Sequence, residues 1–259
     1  MKKYLLSLFL ICATVLSSMA QKQTKTFEYE GFTGLSVSHS FQITVNKSNV
    51  FSVKVSVDPD YIPYLDVQKK DDVLHIGFTK DLPRKLRTKS SKIANATISM
   101  PVLSAVSLSG SADVFCNGQF EAGMKEITIY MSGASSLKGY AASGVKASVE
   151  LSGSSLVNCE LKAGEVEAQV SGASKFVVGG SAGSLSAEVS GASGLLAYDL
   201  QLKDASIKAS GASKVQIAPQ NTLKVSLSGA SSCTYKDNDA LYVNARSITG
   251  ASTLKPAKD

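Results

Sequence analysis

The chain has 259 residues, with 27 Lys and Arg against 21 Asp and Glu, a formal net charge of +6, no Trp, four Cys and two His. So modest a positive excess does not call for a nucleic-acid partner. Cys116, Cys159 and Cys233, left once Cys12 in the N-terminal segment is set aside, are an odd set and no disulfide framework. His39 and His75, without a Cys-x-x-Cys pair, leave no ordinary zinc site to assemble.

Lys2 and Lys3, the apolar run Tyr4 to Leu16 and Ser17-Ser18-Met19-Ala20 have the order of a cleaved secretory signal, so residues 1–20 are expected to be removed. Cys12 follows bulky Ile11 inside that run, which argues against lipidation. No other segment is apolar for long enough to cross a membrane as a helix.

Residues 21–105 are expected to form an N-terminal β region. Phe41, Ile43 and Val45 alternate with polar residues, as do Phe51, Val53, Val55 and Val57, with the turn composition Asn46-Lys47-Ser48-Asn49 between them. Leu74, Ile76 and Phe78 mark a third strand and Ala94 to Met100 a fourth; Tyr61 to Asp66 has room for one short helical turn. The cluster Arg84, Lys85, Arg87, Lys89 and Lys92 is the densest basic stretch, read either as a solvated loop or as a contact for an anionic surface.

From residue 106 to 259 a repeat of about twenty residues takes over, which predicts a solenoid. Its markers are Ser-Gly-Ala-Ser and close variants, centred on Gly110, Gly133, Gly153, Gly172, Gly191, Gly211, Gly229 and Gly250. Two and four residues before each glycine the column is apolar (Val106 and Leu108, Ile129 and Met131, Val149 and Leu151), until Arg246 interrupts it in the last repeat. Four residues after the glycine it is apolar or a thiol throughout, from Val114 to Cys233 and Leu254. The columns between are mostly polar, as in strands with one buried face. Each repeat therefore reads as a strand, a tight corner that needs glycine, a second strand and a variable loop. The fold expected is all-β: a single-stranded β-solenoid of about eight turns, with a right-handed coil favoured, behind the N-terminal β region.

Little in this pattern carries chemistry. Cys116 and Cys159 fall two turns apart, about 9.6 Å by strand spacing and beyond disulfide reach, so the thiols read as small hydrophobes. Glu150, Glu167 and Glu188 lie on an outward face; a glycosidase needs two carboxyls in a shaped cleft, and a solvated strand face is the simpler reading. Asp58-Pro59-Asp60 and Asp237-Asn238-Asp239 read as turns, with a weak calcium site the alternative. There is no nucleophile elbow and no phosphate-binding glycine loop. With no Trp, Tyr130 and Tyr140 are the expected exposed rings for stacking on a sugar.

The stretches Phe41 to Val45, Phe51 to Val55 and Val73 to Ile76, with Leu108 to Ala112 and the Ser-Gly-Ala-Ser series, resemble the putative auto-transporter adhesin family with the head GIN domain. The resemblance spans nearly the whole chain after residue 20, although the Gly-Ile-Asn tripeptide itself is missing. It implies a β-solenoid-like fold and an exported location at the outer-membrane surface, outside the cell or in the periplasm; it transfers no catalytic residue. The expectation is a non-enzymatic envelope-binding module without a cofactor, its partner a glycan or a protein. A polysaccharide-active enzyme, or a structural protein that self-assembles through a solenoid edge, are the alternatives.

Overall fold

The computed structural model describes residues 22–87 and 94–257; the expected signal segment and Lys89 and Lys92 lie outside them. The chain is nearly all β. In order the strands are β1 (Gln23–Phe27), β2 (Gly34–Val37), β3 (Phe41–Lys47), β4 (Ser52–Val57), β5 (Leu65–Lys70), β6 (Val73–Phe78), β7 (Ala94–Met100), β8 (Ala105–Leu108), β9 (Asp113–Asn117) and β10 (Gln119–Glu121). There follow β11 (Ile127–Met131), β12 (Ser136–Ser143), β13 (Lys146–Leu151), β14 (Leu156–Val170), β15 (Lys175–Val189), β16 (Gly194–Ala209), β17 (Lys214–Leu227), β18 (Ser232–Tyr235), β19 (Tyr242–Ile248) and β20 (Thr253–Pro256). A 3-10 helix (Pro59–Tyr64) and the single turn α1 (Arg84–Arg87) interrupt the early strands.

The strands coil into a solenoid with two parallel sheets that meet at the Ser-Gly corner. Strands before the corner stack as the first sheet, through β6, β2, β8, β11, β13 and the second halves of β14 to β17. Strands after it stack as the second sheet, through β7, β3, β9, β12 and the first halves of β14 to β17. Inward residues form one continuous core of Val, Leu, Ile and Ala that runs the length of the stack. Alternation does this simply: in β13 Ala147, Val149 and Leu151 are buried and Glu150 between them is exposed.

The corner has one geometry throughout. Gly133, Gly153 and Gly172 have φ of 73°, 71° and 76°, in the left-handed region. A Cβ on Gly172 would lie 2.4 Å from the carbonyl oxygen of Gly153, the glycine one turn below. That carbonyl instead accepts the N–H of Ala173 at 2.7 Å, so the sheet hydrogen bonds turn the corner without a gap. From Ser135 to Ser231 the serine that closes the corner is buried, and Ser155 donates its hydroxyl to Ser152 O at 2.7 Å. A side chain at the glycine is thus excluded twice, by backbone angle and by the turn beneath.

The variable loops expected between turns are mostly absent in the middle of the stack. β14, β15 and β16 run 15, 15 and 16 residues without a break. In β14, Leu161 points inward, Gly164 and Glu165 both face out, and Val166 points inward again. One extra outward residue bends the strand while its neighbours stay paired, Ala163 to Ala182 and Glu165 to Ser184. The extended backbone keeps its ladder partners, which a loop would forfeit.

The parallel ladder does not stop at residue 105. β2 pairs with β8 and β3 with β9, so residues 34–47 make a full turn of the solenoid. His39 stands in the glycine slot of that turn with φ 67°. It tolerates a side chain because β6, in the next turn outward, runs on from Phe78 into residues 79–87 and α1 where the other turns have a Ser-Gly corner. The imidazole fills the space, edge-on to Phe78 with centroids 5.6 Å apart, and its Nδ1 accepts the Phe78 N–H at 3.4 Å. Burial, then the charge of Arg87, lower the His39 pKa, against a raising hydrogen bond to the Ser38 backbone.

The N-terminal end is closed. β5 runs antiparallel to β6, β4 antiparallel to β7 and β1 antiparallel to β4. Phe32, Phe41, Phe78 and Tyr61 plug the core there, with Leu82 and Leu86, and Tyr61 donates its hydroxyl to Leu86 O at 3.0 Å.

Two outcomes follow from the corners. Gly172→Ala is expected to destabilise by more than about 2 kcal/mol, because it adds a backbone clash to the φ penalty, whereas Gly123→Ala (φ 63°, nothing within 4 Å of its Cβ) costs about 1 kcal/mol, by chemical denaturation. Because native His39 holds its proton less readily than the unfolded chain, its contribution is complete above the ordinary histidine value and declines as pH falls below about 6.5. His39→Asn, which keeps a residue tolerant of positive φ, should flatten that part of the stability profile between about pH 7 and pH 5.

Candidate binding face

The outer surface of the first sheet carries the side chains singled out in the sequence. Parallel register places Ser107, Tyr130, Glu150, Gln169, Glu188, Lys208, Ser226 and Ser247 in one row across consecutive strands. From Ser107 to Ser226 they alternate with core residues, so the strand pleat alone aims them at solvent. Beside that row run Thr128, Ser148, Glu167 and Ser186.

Glu150 and Glu188 flank Gln169, two strand spacings apart, or about 9.6 Å. Glu188 is ion-paired with Lys208 at 2.7 Å, and Glu167 with Lys146 at 2.7 Å; Glu165 lies 4.0 Å from the same ammonium. The hydrogen bond that Lys146 donates to Glu167 is the main cause that raises the Lys146 pKa. Ser148 donates to Glu126 at the edge of this network. These exposed pairs hold side chains in place more than they stabilise the fold.

Three shallow depressions lie on the face. One, of about 170 Å³, is lined by Tyr130, Thr128, Ser148, Glu150, Glu167 and Gln169. A second, of about 380 Å³, lies between the Glu188–Lys208 pair and the corner serines Ser190, Ser210 and Ser228, with Ser226, Ser247 and Thr249. A third, of about 210 Å³, is lined by Ser184, Ser186, Asp204, Ser206, Thr222 and Lys224. All are open, so the face offers hydrogen-bond donors, acceptors and one ring to a surface laid against it.

The basic cluster is elsewhere. Arg84, Lys85 and Arg87 sit on α1, beyond β6 and four strand steps from Glu150, about 19 Å along the stack. Arg87 is committed to the fold: its Nε donates to Leu82 O at 2.8 Å and its Nη2 to Lys80 O at 2.5 Å. Among the described residues no group of three or more His, Cys, Asp and Glu comes together to hold a metal.

One expected ring is withdrawn. Tyr130 is exposed, but Tyr140 is fully buried and donates its hydroxyl to Leu103 O at 2.7 Å. The cause is Gly139, at φ 67°, which inserts a bulge between Lys138 and Tyr140 and turns the next residue to the inner face. Tyr140 thereby sits in the column of Cys116 and Cys159, between the two thiols. Burial pushes Cys116 and Cys233 up to about 12 and raises Cys159 and Tyr140 as well. Arg246 is also explained by a bulge: Val225 pairs with Ala245 and Ser226 with Ser247, so Arg246 is the extra residue and points out.

Comparison with known proteins bears on the whole chain. The model of the family described as putative auto-transporter adhesin, head GIN domain matches residues 31–238. Among solved structures, a putative lipid binding protein from Parabacteroides distasonis superposes with a TM-score of 0.78 at 15% identity. Putative adhesins from Parabacteroides distasonis and Parabacteroides merdae superpose at 0.76 with 20% identity and at 0.71 with 21%. Each alignment covers 93% of this chain and 98% of the other, and at these identities the likeness is one of fold. No curated protein matches the sequence.

The thiols give a direct check of this packing. Cys116, Cys159 and Cys233 are expected to resist iodoacetamide in the native protein at about pH 8, where a free thiol reacts, and all to be alkylated once denaturant opens the stack, by mass spectrometry.

Proposed function

This chain belongs to the family described as putative auto-transporter adhesin, head GIN domain, and from that premise we propose that it is a non-enzymatic binding module of the cell envelope. The outer face of the first sheet is its recognition surface. The observation that carries the reading is the in-register row from Tyr130 to Lys208, a flat run of polar side chains fixed by strand pairing. A solenoid presents such a row without the cost of ordering loops, which suits contact with an extended ligand, a glycan chain or a protein strand. Tyr130 supplies an apolar ring face, and Glu150, Gln169 and Glu188 supply planar hydrogen-bonding groups at strand spacing.

Against catalysis stands the pairing of Glu188 with Lys208 and the lack of a cleft around Glu150 among the described residues. An exported location, at the cell surface or in the periplasm, is part of the proposal and follows the family and the expected signal segment.

The test is binding of the purified protein to glycan and matrix-protein arrays, with Tyr130→Ala and Glu150→Gln/Glu188→Gln as variants. A loss of affinity of about 5- to 30-fold in each is expected from the removal of contacts worth about 1–2 kcal/mol. Binding unchanged in both variants would overturn the assignment of the face.

A further inference from the structure

The link between β9 and β10 carries chemistry of its own. Asn117 ends β9, Gly118 follows it, and both are exposed. No other asparagine of the chain precedes a glycine. The fold needs glycine here for a packing reason: its φ is 97°, and a Cβ would lie 2.6 Å from Lys47 Cβ. The same lack of a side chain leaves the Gly118 nitrogen unshielded beside the Asn117 side chain.

Strand pairing lets go at this point. Phe115 pairs with Lys138 and Gln119 with Ala141, so Cys116, Asn117 and Gly118 face only Gly139 and Tyr140, and one residue of the link is left over. On the other side the ladder with β3 ends where Asn117 meets Asn46. Among the described residues no backbone carbonyl accepts the Gly118 N–H. The Asn117 side chain donates one exposed hydrogen bond, from Nδ2 to Asn46 Oδ1 at 2.9 Å, a weak hold in water. Asn46, Asn95 and Asn158 differ on both counts: each precedes a residue with a side chain, and each lies in a strand paired on both sides.

We propose that Asn117-Gly118 is a self-modifying site, at which the folded protein converts asparagine to aspartate and isoaspartate without an enzyme. The Gly118 nitrogen gives its proton to hydroxide and bonds to Asn117 Cγ. The bond from Cγ to Nδ2 breaks, and the nitrogen leaves as ammonia with a proton from solvent. The product of that step is a succinimide ring, which water opens. Attack at Cγ gives aspartate; attack at the main-chain carbonyl carbon gives isoaspartate, with the backbone one methylene longer. One water is consumed and one ammonia released for each conversion, and nothing is oxidised or reduced. The longer backbone falls where the β3 ladder has ended, so the stack keeps its core while a carboxylate replaces the donor that faced Asn46.

The full chain, kept folded, is incubated at about pH 6 and about pH 8.5 in water labelled with heavy oxygen. One acidic species is expected by ion-exchange chromatography, forming at least ~10-fold faster at the higher pH because the attacking amide must lose its proton. Peptide mass spectrometry should place it at Asn117, with one heavy oxygen per conversion and isoaspartate beside aspartate. Asn117→Gln keeps the amide but has to close a larger ring, and should lose the species. Asn117 intact in the folded chain, aspartate without isoaspartate, or an acidic species that persists in Asn117→Gln overturns the proposal.

Discussion

The structure depends on a carbonyl oxygen packed where a Cβ would be. At each corner from Gly133 to Gly250 the glycine of one turn lies over the glycine of the turn below, and the oxygen beneath takes the next N–H along the chain. Gly153 O sits 2.4 Å from the place a Cβ of Gly172 would occupy and accepts Ala173 N–H at 2.7 Å. One contact therefore fixes three things: the left-handed backbone, the vertical spacing of turns, and the register of both sheets. Register in a half-buried strand is otherwise one residue away from exposing its whole core face. With the corner pinned, Val149, Ala168 and Ala187 fall into one inward column and Glu150, Gln169 and Glu188 into one outward row.

Period-two alternation and the recurring glycine made the solenoid, its inner columns and the corner legible before any coordinates. The same reading placed Tyr140 outside, because alternation cannot see a bulge until a partner strand counts residues against it; Gly139 between Lys138 and Tyr140 is the only hint. It also began the repeat at residue 106. The turn formed by residues 34–47 escaped because its corner is Ser38-His39-Ser40 and a search keyed on glycine passes over it, although Leu35, Val37 and Ile43 occupy the inward columns. The reason is local. A glycine is needed only where another corner lies on the side its Cβ would face, and beside His39 strand β6 leads into residues 79–87 and α1 in place of such a corner. The order of turns in space, with residues 34–47 between 73–100 and 105–117, lies in pairing and in no local signal.

The outward rows were legible as rows, since their columns follow from the same alignment, but their meaning was not. Sequence shows Glu150, Glu167 and Glu188 as acids on one face. The pairing of Glu188 with Lys208 and of Glu167 with Lys146, and the open depressions beside them, needed coordinates. The basic cluster shows the same limit at one residue: Arg87 looks like a free charge in the sequence, and its guanidinium donates to the backbone carbonyls of Leu82 and Lys80.

The two ends of the stack differ, and the difference bears on which surfaces can bind. At the N-terminal end antiparallel strands and an aromatic plug cover the core. At the other end β19 and β20 pair on one side only among the described residues, and Tyr242 and Ile248 are 66% and 43% exposed. Such an edge is a template for another strand unless something blocks it. Here a bulge at Arg246 throws a charge outward in the middle of β19, and Pro256 removes a donor from β20. Lys255 adds a second cation beside it. These devices work against growth of the solenoid along its axis by a second copy. With one end covered and the other guarded, the surfaces left for recognition are the sides of the stack, where strand pairing sets the outward rows.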